Sequence, residues 1–227
     1  MKNKYASGAH TKMRRFRLIL KLFCNGSTAT EIAKITGLNR NAVNSWTRKF
    51  RERIFALQEQ EKLIDAEYVQ ADETFFGVID SVAKKHRWTT GYKIAFGLID
   101  ELWRVRAEII EKVSKEQIYP IIIETCKLGT TIYTDAAPVY KGLDGLGFKH
   151  LFVNHSEFEF AKTEDGNRVT TNRIEGFWGW LKNRLRPFNG IRYEHLNLHL
   201  QESVWRFNHR NENTYELLLR DFRANPL

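Results

Sequence analysis

Only two cysteines, Cys24 and Cys126, occur in 227 residues, and they lie far apart. Neither a disulfide framework nor a C-x-x-C zinc ribbon can be built from them, and such sparse usage fits a reducing cytosol. Long apolar runs are also missing. The one near the start, Leu18 to Cys24, is broken by Lys21 and lacks a small-residue cleavage site, so neither a signal peptide nor a membrane span is expected. Internal repeats and low-complexity tracts are absent. With 42% hydrophobic and 28% charged residues, the composition excludes disorder and collagen-like structure and leaves room for one sizeable core, or a core with a small module.

Acidic charge is scarce at one end. Residues 1–62 hold 14 Lys and Arg against 4 Asp and Glu, a net +10, whereas residues 63–227 hold 22 against 23, a net −1. A compact positive module joined to a nearly neutral body is the footprint of a protein that grips a polyanion with one end, and nucleic acid is the leading partner.

In the basic module the apolar positions recur at helical spacing: Phe16, Ile19, Leu20 and Phe23, then Ile32, Ala33 and Ile35, then Val43, Trp46 and Phe50. Three short helices are predicted. Thr28-Ala29-Thr30-Glu31 has the form of a capping box, Gly37 suits a left-handed stop, and Asn39 suits the cap of a helix running from Arg40 to about Phe50. This is a helix-turn-helix pattern. Its second helix presents Arg40, Asn41, Asn44, Ser45, Arg48 and Lys49, side chains suited to phosphates and base edges in a major groove. The competing reading is a trihelical packing module with a solvated basic face. Trp46 falls on the apolar stripe and is expected in the core. Ala56 to Asp65 reads as a helical linker, so the expected division is residues 1–62 for the module and linker and 63–227 for the body.

The body changes to short strands, predicted at Glu67–Ile79, Lys93–Asp100, Trp103–Ile110, Thr130–Thr134 and Phe148–Val153, with a helix over Lys115–Cys126. A mixed α/β fold with a partly antiparallel sheet follows. Three acids in it stand out. Asp72 interrupts a run suited to a buried strand, where an unpaired carboxylate is costly; a divalent cation or an edge position facing water would each compensate it. Glu73 should point to the opposite face. Asp135 closes an apolar run and suits either a cap at a strand-to-helix junction or a ligand at the carboxyl end of a strand. Glu175 lies on a predicted helix whose apolar stripe is Ile174, Phe177, Trp178, Leu181 and Leu185. A second stripe carries Asn172, Glu175, Gly179, Lys182 and Arg186, readable as a metal-and-phosphate track or as a solvated face. Asn172 and Glu175 also form a possible capping box.

Five segments occur in a telling order: Asp-Glu-Thr-Phe-Phe-Gly at 72–77, Tyr-Thr-Asp at 133–135, Asn-His-Ser at 154–156, Thr-Asn-Arg-Ile-Glu-Gly-Phe-Trp at 171–178 and Trp-Arg-Phe-Asn at 205–208. In these the chain resembles the bacterial ISXO-like insertion-sequence transposases of the DDE superfamily. The resemblance, over residues 13 to 210, implies an RNase H-like catalytic domain behind the helical module. It also implies Asp72, Asp135 and Glu175 as the acidic triad, and Lys182 as a basic residue near the active site. Some relatives carry Asn in the third acidic position, which brings in Asn172, one turn before Glu175. Longer relatives carry an N-terminal zinc ribbon, and this sequence does not.

Oxygen ligands of this kind select Mg²⁺ or Mn²⁺, and two such ions would support phosphodiester cleavage and strand transfer without a covalent intermediate. Clustered acids should also raise one another's pKa. His155 suits either a catalytic or a structural role. Between Arg168 and Arg210 lie eight Lys and Arg against three acids, and this cluster, with Lys182, Arg184 and Arg186, is expected to track backbone phosphates. The implied partners are the terminal inverted repeats and target DNA, bound by a homodimer or higher synaptic complex in a bacterial, nucleoid-associated cytoplasm. The alternative from another class is a helix-turn-helix regulator, or a decayed transposase that binds without catalysis.

Overall fold

The computed structural model describes residues 3–6, 11–59, 65–79, 90–153, 162–164, 167–188 and 191–227. Two compact units emerge, one comprising Met1–Glu59 with Trp205–Leu227 and the other Gln60–Val204. Among the described residues no helix is long and apolar enough to cross a membrane.

The first unit is all-helical. Helices α1 (Met13–Cys24), α2 (Ala29–Thr36) and α3 (Arg40–Gln58) follow the predicted periodicity. The Thr28–Glu31 box forms in both directions, Gly37 ends α2 at φ 67°, and Asn39 Oδ1 accepts from the Ala42 amide at 2.8 Å. Helix α3 runs past Phe50 to Gln58, because Ile54 continues its buried stripe. Trp46 is core, as expected, with its indole N–H donating to Thr11 Oγ1 at 3.2 Å.

One boundary differs from the expected one. The last turn of α6 (Tyr193–Asn208), from Trp205 on, and helix α7 (Thr214–Ala224) group with the N-terminal helices, not with the body. Trp205, Leu218, Leu219 and Phe222 join one core with Phe16, Phe50 and Ile54. Arg206 donates to the carbonyls of Phe23 and Cys24, both at 2.6 Å, closing the C-terminal end of α1, and Arg53 pairs with Asp221 at 3.0 Å. Three short helices bury little surface alone, and periodicity does not say which core a distant amphipathic helix will join.

The second unit holds a five-stranded sheet in the order β3-β2-β1-β4-β5. Its strands are β1 (Tyr68–Ile79), β2 (Thr90–Asp100), β3 (Val105–Ile110), β4 (Thr131–Asp135) and β5 (Lys149–Val153), close to the predicted spans. The first three form an antiparallel meander, and β4 and β5 add on in parallel. This is the expected RNase H-like mixed sheet with flanking helices. A short hairpin, β6 (Lys162–Glu164) with β7 (Asn167–Val169), was not anticipated.

The two faces of β1 divide the labour. Val69 and Ala71 pack into a core with Phe96, Leu98 and helix α4 (Lys115–Thr125) through Ile118 and Ile122. The opposite face, carrying Gln70, Asp72 and Thr74, receives α5 (Asn172–Leu185). A close approach fixes that helix. Gly97, the cross-strand partner of Asp72, lies under Trp178, and a Cβ there would sit 2.7 Å from the indole ring. Gly97→Ala should therefore destabilise the protein by about 1–3 kcal/mol, read as a lowered midpoint in thermal or urea unfolding.

Candidate active site and nucleic-acid interface

The site begins with strand register. Tyr68, Val69 and Gln70 pair in parallel with Thr131, Ile132 and Tyr133. Two residues on, the same register sets Asp72 beside Asp135 at the carboxyl end of β4. The third acid comes from α5, whose buried stripe of Ile174, Phe177, Trp178, Leu181 and Leu185 matches the predicted one. Asn172, Glu175, Gly179, Lys182 and Arg186 are all exposed, so the second stripe faces outward.

The carboxylates act on one another. Asp72 is pushed up to about 7, first by burial, then by Glu73, and further by Asp135 and Glu175. The charges that shift it are all acidic. Glu73 does point to the opposite face, where it accepts from the buried Tyr140 hydroxyl at 2.5 Å. Burial still raises the Glu73 carboxyl, and Tyr140 is raised well above its ordinary value, so its hydroxyl stays a donor. Strand alternation does turn Glu73 away from Asp72, yet the two carboxylates still act on each other through the strand.

The oxygens are close without being gathered. Among the described residues, no three His, Cys, Asp or Glu side chains form a ready metal cage. Asp135 Oδ1 accepts from the Ala137 amide at 2.9 Å, and Glu175 Oε1 accepts from Thr171 Oγ1 at 2.6 Å. In chemical kind the donor set fits a hard divalent cation: carboxylate oxygens whose like charges raise Asp72. The Cys126 thiol offers no competing site, since burial raises it to about 12.

Residues 65–208 match the ISXO2-like transposase domain family. The chain belongs to that family. It is 38% identical over 105 residues to an uncharacterized transposase-like protein of Haemophilus influenzae, a match covering 46% of this chain and 81% of the relative. Among solved structures it is similar to the Mos1 transposase paired-end complex with left transposon end, at 13% identity and a TM-score of 0.36, over 95% of this chain and 80% of that one.

Several expectations about this transposase-family chain change in three dimensions. Asp135 does not cap a helix: it closes an Asx-type turn before the short 3₁₀ segment Pro138–Tyr140. The Asn172–Glu175 capping box does not form, because Thr171 is the cap position and Asn172 is the first helical residue. Arg184 is turned away from the side that carries Glu175 and Lys182. It lies nine residues beyond Glu175, about two and a half turns and so on the opposite side of the helix. There it is nearly buried and pairs with Glu202 at 2.5 Å and with Ser203 at 3.2 Å. Arg173, Arg206 and Arg210 donate to backbone carbonyls, which thins the expected basic cluster; of its members, Lys182, Arg186, Arg192 and Arg210 are exposed. His155 lies outside the described residues.

On α3, the side chains of Arg40, Asn41, Asn44, Ser45, Arg48 and Lys49 are all exposed. Arg48 meets Glu52 at 2.8 Å in a solvent-exposed i,i+4 pair, a weak tie that a phosphate can displace. Gln70 and Thr171 were not singled out from sequence. A Gln inside an apolar strand was as much a signal as the Asp two residues later.

The Asp72 shift has a measurable sign. Its folded value near 7 exceeds the ordinary 3.8, so the group favours the folded state at low pH, and that contribution is lost as pH rises from about 4 through 7. Asp72→Asn should therefore melt about 5 °C above the wild type at pH 8, with the gap closing toward pH 4. Added Mg²⁺ at pH 8 should raise the wild-type midpoint and leave the variant's unchanged. A pH-independent gap would contradict the crowded-carboxylate description.

Proposed function

We propose that this protein is a metal-dependent DNA strand-transferase that cuts and joins the ends of an insertion sequence. The reading is carried by Asp72 on the central strand, beside the carboxyl end of β4, where burial and acidic neighbours raise it and every charge that shifts it is acidic. Such crowding costs stability unless a cation relieves it, and perturbed groups of this sort concentrate at functional sites. Asp72, Asp135 and Glu175 would hold one or two Mg²⁺ or Mn²⁺ ions. When bound, these supply charge neutralisation at a phosphate and a lowered pKa for an attacking water or 3′-hydroxyl.

The protein's own groups do the rest. Lys182 on the exposed side of α5 and Arg186 just past its end follow Glu175, spaced to meet successive phosphates, while Gly179, between Glu175 and Lys182, leaves the backbone open to close approach. Asn172, at the exposed start of the helix, is placed to contact the same strand. The reaction these residues serve is an in-line displacement at phosphorus, in which a bond from the incoming oxygen forms as the bond to the leaving 3′- or 5′-oxygen breaks. Water as nucleophile gives cleavage; a 3′-hydroxyl gives strand joining. In the helical unit, α3 is suited to enter a major groove with Arg40, Asn41, Asn44 and Ser45 toward base edges and Arg48 and Lys49 toward phosphates. The terminal repeats of the element and its target are the implied duplexes, with two copies of the protein holding two ends.

Asp72→Asn should reduce Mg²⁺-dependent cleavage and joining of an end-labelled element terminus by roughly a thousandfold, with DNA affinity kept within a few-fold. Equal activity in both proteins would refute the assignment, and cleaved but never joined products would reduce it to a nuclease. Replacing Arg40 and Arg48 together by Ala should weaken duplex binding and lower the slope of log affinity against log salt by about 1–2. Unchanged binding would move recognition off α3.

A further inference from the structure

The exposed acid on α5 is useful to a reaction only if its helix starts in a fixed place relative to Asp72. Ordinarily a helix start is held by its own cap residue, whose side chain accepts from the second or third amide. Here that arrangement is missing. Thr171, the cap residue, has φ −107° and ψ 5°, outside the extended region, and makes no capping bond. Its hydroxyl instead donates to Glu175 Oε1 at 2.6 Å.

The missing acceptor arrives from another element. Gln70, 1% exposed, directs its side-chain oxygen at the start of α5 and accepts from the amides of Arg173 at 2.8 Å and Ile174 at 3.2 Å. These are the second and third helical residues, the pair a cap would serve. The strand reinforces the grip two residues earlier. Tyr68 lies 5.5 Å from the Arg173 guanidinium, Trp103 lies 5.3 Å from it, and the same guanidinium donates to the Asp100 carbonyl at 3.3 Å. Tyr68, Gln70 and Asp72 alternate onto one face of β1. In steps of two, that face clamps the arginine, caps the helix and presents the acid.

We propose that Gln70 is a positioning residue: by capping α5 from β1 it sets Glu175 in register with Asp72 and releases Thr171 to orient the Glu175 carboxylate. The inference rests on the strand-transferase reading and deepens it. A Gln used only to fill space would be replaceable by an apolar side chain of similar length. A Gln used as an acceptor would be replaceable only by another acceptor, and a Glu oxygen at the same reach can receive both amides.

The test compares wild type with Gln70→Met and Gln70→Glu. Amide hydrogen exchange at Arg173 and Ile174 should accelerate at least tenfold in Gln70→Met and return to within about threefold of wild type in Gln70→Glu. Mn²⁺ affinity, followed by electron paramagnetic resonance on the protein without DNA, should fall about tenfold in the first variant and persist in the second. Cleavage at saturating DNA should fall in parallel, with DNA affinity unchanged. Unaltered exchange in Gln70→Met overturns the inference, as does a Gln70→Glu protein that loses as much as Gln70→Met. Should Gln70→Met fail to fold, the Gln70→Glu measurements decide alone. Wild-type protein that binds no Mn²⁺ overturns the strand-transferase reading and this inference with it, whereas wild-type binding that Gln70→Met leaves intact overturns the inference only.

Discussion

The parallel pairing of β1 with β4 is the constraint on which the sheet unit turns. It sets Asp72, in the middle of β1, beside Asp135 at the end of β4, so the fold itself creates a repulsion between like charges in a half-buried place. A sheet built for stability alone would put an apolar residue at position 72. Around that repulsion the neighbouring contacts make sense: bare Gly97 lets Trp178 lie against the sheet, α5 comes close, and Glu175 adds a third negative charge. The hydrogen bonds of Thr171 to Glu175 and of Ala137 to Asp135 keep two of the carboxylates oriented.

The helical unit shows a related choice at its surface. Neither α1 nor α3 has an acid in its first turn, and basic residues such as Arg14, Arg15 and Arg40 stand there instead. Cations at that end oppose the helix dipole. The arrangement gives up a little intrinsic helix stability and raises the positive potential seen from outside, which suits a polyanionic partner of the kind proposed. Its core compensates by recruiting α7 and the last turn of α6, whose Phe222 and Trp205 join Phe16 and Phe50.

Some signals in the chain were faithful because they are local. The Thr28–Glu31 box, the left-handed Gly37 and the Asn39 cap each involve atoms within four residues, and each forms as read. The strand spans and the buried stripe of α5 were legible for the same reason, since periodicity reports which side of an element meets a core. Errors entered where two elements meet. Arg184 looked like one of a basic series, but the turn of the helix carried it to the side where Glu202 lies. Asn172 and Glu175 had the spacing of a capping box, but Gln70 supplied the acceptor from 103 residues away.

By itself, then, the sequence determined the elements, their ends, the basic character of one module and the residue types able to serve a phosphoryl-transfer site. Short-range hydrogen bonds and hydrophobic periodicity are enough for that. Only the tertiary structure decided that Asp72, Asp135 and Glu175 act on one another, that several arginines are spent inside the fold, and that the C-terminal helix completes the N-terminal core. Those outcomes depend on strand register and helix docking between residues far apart in the chain, where burial and packing, and no local propensity, choose the partner.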